Sequence, residues 1–174
     1  MTRTMRWVLL PLIVALLVSC EPPNRPVATA ERDRTIDQRS YTLGGIGAFA
    51  EMVNAGVKKL ALSAPLSPDE MDALMEEAER IVGSHDVDVF RETDFLVTDL
   101  FPADLTEGKH VLLICRGETR QEYLDLKAEK QRLIDSGMYD EAARLRVARR
   151  FGALLSYSED KIEALLEAGR PSGS

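Results

Sequence analysis

Cysteine, histidine and basic residues are scarce in this chain, and each shortage removes a class of function. Cysteine occurs twice, at Cys20 and Cys115, which is too few for a disulfide-stapled scaffold. His85 and His110 are the only histidines, and neither falls at a metal-ligand spacing. Lysine and arginine number 22 against 29 acids, a formal net charge of −7. That balance excludes a general partner for nucleic acid, whose binding rests on neutralising phosphates. It also opposes docking on an anionic lipid face unless charge is unevenly spread. The apolar segment Trp7 to Val18, which contains Pro11, falls short of the roughly 20 residues that span a bilayer. There is no internal repeat and no low-complexity tract.

That segment has another layout. Arg3 and Arg6 precede it, small Ser19 closes it, and Glu21-Pro22-Pro23 follows Cys20. A positive start, an apolar middle and a small residue at the cut describe a secretory signal. The ending Leu17-Val18-Ser19-Cys20 resembles the lipobox of bacterial lipoprotein precursors: aliphatic, small or aliphatic, small, then cysteine. The resemblance covers residues 1–20 only. It implies a diacylglycerol on the Cys20 sulfur, cleavage after residue 19, and acylation, as with palmitate, of the new amino terminus. One acyl chain anchors marginally and several anchor stably. The expected partner of Cys20 is therefore a membrane, and the expected location is the bacterial cell envelope, facing the periplasm. In enteric lipoproteins Asp after the cysteine marks inner-membrane retention; Glu21 leans toward the outer membrane. A transmembrane anchor and an ordinary cleaved signal are the competing readings. With Cys20 carrying lipid, Cys115 has no internal partner, and its neighbours Leu112, Leu113 and Ile114 predict a buried, inert thiol.

Residues 20–40 are rich in Pro, Arg, Asp and Thr and read as a flexible tether. A single domain is expected over 41–169, with a loose tail at 170–174. Gly44-Gly45-Ile46-Gly47 opens a helical pattern that continues through Phe49, Ala50, Val53 and Val57 and stops near Gly56. Residues 57–63 read as a first strand. Ser67-Pro68-Asp69-Glu70 is a capping box with Pro at the first helical position. Met71, Leu74, Met75, Ala78, Ile81 and Val82 then form a clean apolar stripe, ended by Gly83. Asp86 to Val89 alternates as a strand; Arg91 to Asp94 reads as a turn and Phe95-Leu96-Val97 as a third strand. The polar stretch 102–109 is a loop. Val111 to Cys115 is continuously apolar, hence a central strand covered on both faces. Thr119 to Glu122 predicts a second capping box and a helix to Gly137; Asp140 and Ser158 open two more. The expected fold is α/β: a small mixed sheet of about four strands, packed helices and a helical C-terminal part. Its first two strands should run in parallel through a right-handed crossover.

Candidate chemistry is sparse. Gly44, Gly45 and Gly47 could present backbone N–H groups to an anion at a helix start, although the dinucleotide and P-loop patterns are incomplete. Asp86, Asp88, Glu92, Asp94 and Asp99 could converge on a hard cation, but no calcium-loop spacing is present, so no metal is assigned. Ser63 should end its strand opposite the histidines if those strands are parallel, which disfavours a Ser-His pair. His110 and Cys115 point to opposite faces of one strand. Open α/β sheets bind ligands at the carboxyl ends of their strands, which here would gather Ser63, Ser67, Arg91 and Glu92. Glu51 and Lys58, with Glu92, Asp94 and Asp99, are the candidate acids and bases. Ser63, Arg91 and the three glycines are the candidate ligand contacts. Arg144, Arg146, Arg149 and Arg150 could meet lipid phosphates or an acidic partner protein; the plainer reading is a solvated face paired with acids such as Glu141. No cofactor is implied. Three functions remain: a tethered module binding a small ligand or an envelope protein, a small periplasmic enzyme using carboxylates and a lysine, and a structural accessory of envelope assembly.

Overall fold

The computed structural model describes residues 37–101 and 103–169. The signal segment, Cys20, most of the tether and the tail lie outside the described residues. Order begins earlier than Tyr41. Helix α1 spans Gln38–Asn54, and the Asp37 side chain caps it by accepting from the backbone N–H groups of Arg39 and Ser40. A carboxylate placed before a first turn suffices to start a helix, whatever the polarity of the residues that follow. Leu43, Ile46, Ala50 and Val53 are its buried stripe. Gly56, at φ +72°, turns the chain out. Val57 is exposed, so strand β1 is only Leu60–Leu62.

Helix α2, Pro68–Gly83, has the expected capping box: Ser67 N–H donates to the Glu70 carboxylate at 2.9 Å, and Ser67 Oγ accepts from Glu70 N–H. Met71, Leu74, Ala78 and Val82 face inward. Each large apolar side chain fully buried in this way contributes about 1.5–3 kcal/mol. Strand β2 is Asp88–Glu92 and strand β3 is Val111–Cys115. Helices α3 (Thr119–Asp135), α4 (Glu141–Leu154) and α5 (Glu159–Ala168) follow. Asp140 and Ser158 cap α4 and α5 through their side chains. The second capping box does not form. Glu118 occupies the cap of α3 without a side-chain bond, and Thr119 is buried in the first turn.

The sheet has three strands in the order β1-β3-β2. Both pairings are antiparallel, with Leu60 and Asp88 each opposite Cys115 and Glu92 opposite Val111. The sheet is therefore antiparallel rather than mixed. β1 and β2 do run the same way, but β3 lies between them. β2 also extends through the expected turn, because Arg91 and Glu92 pair with Leu112 and Val111. The expected third strand, Phe95 to Val97, is absent. Its backbone is engaged by α3: Leu96 N–H donates to the Tyr123 hydroxyl at 3.0 Å, and Val97 C=O accepts from Lys130 Nζ at 2.8 Å. Groups a ladder would have used are taken by side chains.

β3 is buried along its whole length and separates two apolar layers. Leu112 and Ile114 face α1 and α2; Leu113 and Cys115 face Tyr123, Leu126, Val147 and Phe151 of α3 and α4. The two-residue side-chain period makes this division. A smaller cluster of Leu100, Ala148, Ile162 and Leu166 fixes α5. Among the described residues no helix is long and apolar enough to cross a membrane.

Candidate functional site

Because β3 runs against its neighbours, its start lies at the edge where β1 and β2 end. Ser63, Arg91, Glu92 and His110 therefore share one end of the sheet, and the expected separation of Ser63 from His110 is overturned. The serine–histidine pair is still not made. Ser63 Oγ accepts from Leu112 N–H at 2.9 Å and donates to Ala64 C=O at 2.9 Å. His110 Nδ1 faces the Arg91 guanidinium, which donates from Nε at 2.9 Å and also bridges to Asp72. Arginine has no acceptor, so this Nδ1 is the unprotonated one. His110 exchanges backbone hydrogen bonds with Leu66. Arg91 is thus committed to its own protein's Asp72 and His110 rather than to a ligand.

The carboxylates disperse instead of converging. Asp86 stands in a turn at φ +54° and pairs with Arg116 at 2.9 Å. Glu92 is buried and accepts from Asp94 N–H at 2.8 Å and from Lys127 Nζ at 3.1 Å. Asp94 meets the same ammonium at 3.0 Å, so this cluster pins the end of β2 to α3. Beside it, burial pushes the Tyr123 phenol well above its ordinary range. Asp99 pairs with Arg144 at 3.0 Å. Among the described residues no group of three or more His, Cys, Asp or Glu side chains could hold a metal ion.

Glu51 and Lys58 do not meet as an acid–base couple. Glu51 is exposed on α1, whereas Lys58 is half-buried. Its Nζ donates to Leu155 C=O at 3.0 Å and lies 5.1 Å from the centre of the Tyr157 ring. Burial pushes the Lys58 ammonium below the ordinary lysine range. Gly44, Gly45 and Gly47 are not a turn. They lie inside α1 past its first turn, where backbone N–H groups are already bonded within the helix. A Cβ at Gly47 would come 3.3 Å from Ile81 Cγ2, so that glycine serves the approach of α1 to α2. The four arginines of α4 are all held internally: Arg144 by Asp99, Arg149 by Glu163, and Arg146 and Arg150 by Glu129. Glu141 acts on Arg144 at longer range.

Two clefts among the described residues bear on a small-molecule site. One, of about 600 Å³, has a polar rim of Asp99, Lys130, Tyr139, Glu141 and Arg144. Within that rim Asp99 pairs with Arg144, and Lys130 donates to Val97 C=O. The other, of about 530 Å³, opens where β1 ends. Phe49 of α1, Leu62 of β1, Phe95, Phe101 and Tyr157 form its apolar walls. Phe95 and Phe101 meet edge to face at 6.2 Å, and both lean on buried Phe151. Lys58 and Lys109 carry its charge, and among the described residues no acidic side chain lines it. Of the residues singled out from sequence, only Lys58 and Ser63 reach this cavity. Phe95, Phe101, Lys109 and Tyr157 were not anticipated. Their signal was large aromatics in stretches too polar or too short to bury them locally.

Comparison with known protein families, curated proteins and solved structures gives no match.

Proposed function

We propose that this chain is a lipid-anchored envelope protein whose folded domain binds a small, mostly apolar ligand in the cavity at the end of β1. The anchor rests on the lipobox resemblance ending at Cys20. The binding role rests on one observation: a cavity of about 530 Å³ with aromatic walls and only a few polar groups. That size and lining are typical of small-molecule sites. An acid–base enzyme finds less support, because Ser63, Arg91, Glu92 and Asp99 already have protein partners.

The test has two arms on the full chain made in a bacterial host. Mass spectrometry of the mature protein should show a chain beginning at Cys20 with acyl mass attached. A chain released without fatty acid would remove the anchor. A thermal-shift screen against apolar metabolites should find stabilising ligands, since binding only the folded state raises Tm. Thr106→Trp, which fills the cavity from its loop side, should abolish that shift. A shift that survives Thr106→Trp would place binding elsewhere.

A further inference from the structure

Resting on the binding role proposed above, we infer that the cavity selects an amphipathic monoanion: a carboxylate on an aliphatic or aromatic body, its head held by Lys58 and Lys109. Among the described residues the lining is electrostatically one-sided, with lysines and no acid. Many cations elsewhere on the molecule are matched to carboxylates, as at Arg39–Glu77, Arg91–Asp72 and Lys127–Glu92. Lys58 is not. An ammonium has three donors, and the polar contact made here is to the Leu155 carbonyl. Among the described residues it forms no salt bridge. Lys109 likewise makes none; it acts on Glu70 only at longer range.

A half-buried cation without a counter-ion is costly, and an incoming anion removes that cost by a charge-assisted hydrogen bond. Burial already pushes the Lys58 ammonium down; a bound carboxylate acts in the opposite direction. The rest of the ligand is mostly apolar, with the Thr106 and Tyr157 hydroxyls the remaining side-chain polar groups of the lining. Phe49, Phe95 and Phe101 offer no hydrogen bonds, and the Ser63 hydroxyl is spent on Leu112 and Ala64. A polyhydroxylated or multiply charged metabolite would leave its own polar groups unpaired there. A cationic amphiphile would be repelled by both lysines.

The test holds the tail constant and changes the head. The full chain is placed in phosphatidylcholine nanodiscs and titrated calorimetrically with octanoate, octanol and octylammonium. Empty nanodiscs are subtracted to remove partitioning. Octanoate should bind about tenfold more tightly than octanol, the order of one charge-assisted contact, and octylammonium most weakly. Lys58→Met should remove most of the preference for octanoate over octanol, and combining it with Lys109→Met should remove the rest. Lys58→Arg should restore the preference, which separates lost charge from lost fold, and Lys109→Met should weaken octanoate alone. Equal binding of octanoate and octanol, or a preference for octylammonium, overturns the anion assignment and leaves the cavity as a neutral apolar site. Absence of saturable heat with all three overturns the binding role itself.

Discussion

Gly152 offers the sharpest test of the packing that holds the cavity's far wall. It is buried in α4, and a Cβ built there would lie 2.6 Å from Ile162 Cγ1, 2.8 Å from its Cδ1 and 3.2 Å from Leu100 Cδ1. Two effects oppose each other in Gly152→Ala. Helix propensity favours alanine by about 1 kcal/mol. Overpacking a closed core costs about 1–3 kcal/mol. Ile162 is β-branched, hence stiff at χ1, and only 4% exposed, so it has little room to give. The clash should win, leaving Gly152→Ala less stable by up to about 2 kcal/mol. Gly44 is the control in the same kind of helix. Nothing lies within 4 Å of a Cβ there, so Gly44→Ala should stabilise by about 0.5–1 kcal/mol. Urea unfolding at constant slope reads both changes. In an Ile162→Ala background the penalty at Gly152 should fall sharply, because the two closest clashing atoms are gone and the Leu100 Cδ1 contact at 3.2 Å remains. An alanine at 152 that stabilises the parent as alanine at 44 does would refute the tight α4–α5 contact. The placement of Leu155 and Tyr157, just past the end of α4, at the cavity would then need another cause.

Three further outcomes follow from individual contacts. Tyr123→Phe strands the buried Leu96 N–H and should cost about 1–3 kcal/mol, with faster amide exchange at Leu96, Val97 and Thr98; unchanged exchange would mean that α3 does not hold this segment. Ser67→Ala should cost about 1 kcal/mol in thermal or urea unfolding. The hydrogen bonds from Ser67 hold the Glu70 carboxyl below the ordinary carboxylate range, so their stabilisation is complete above about pH 4.3, the unfolded value, and is lost as pH falls through the lower folded value. Ser67→Ala should therefore flatten the acid limb of the stability profile. Burial pushes the Cys115 thiol up to about 11, so alkylation at neutral pH should be slow in the native protein and fast in urea; rapid native labelling would contradict the two-sided cover of β3.

Where a signal was complete within one turn or one period, it could be read directly. Ser67 with Glu70, Asp140 and Ser158 mark helix starts because a cap is satisfied by residues two or three positions away. The stripe Met71, Leu74, Ala78 and Val82 marks a buried face because helical period alone aligns it. The unbroken apolar run Val111 to Cys115 marks a strand between two layers. Thr119 and Glu122 carried the same letters as a capping box, yet burial of Thr119 withdrew its hydroxyl from that duty. Gly44 to Gly47 looked like a turn because glycine is permissive, but Asp37 had already started the helix upstream.

What sequence alone determined, then, was the position of most helices, the buried centre of the sheet and the acidic balance that argues against nucleic acid, since each depends on near neighbours or on composition. Tertiary structure alone decided the direction of β3, the loss of a strand at Phe95 to Val97, and the meeting of Lys58, Lys109 and the aromatics around one cavity. Those outcomes turn on which distant side chain reaches a backbone group first, as Tyr123 and Lys130 of α3 reach Leu96 and Val97. No periodicity along the chain encodes that competition.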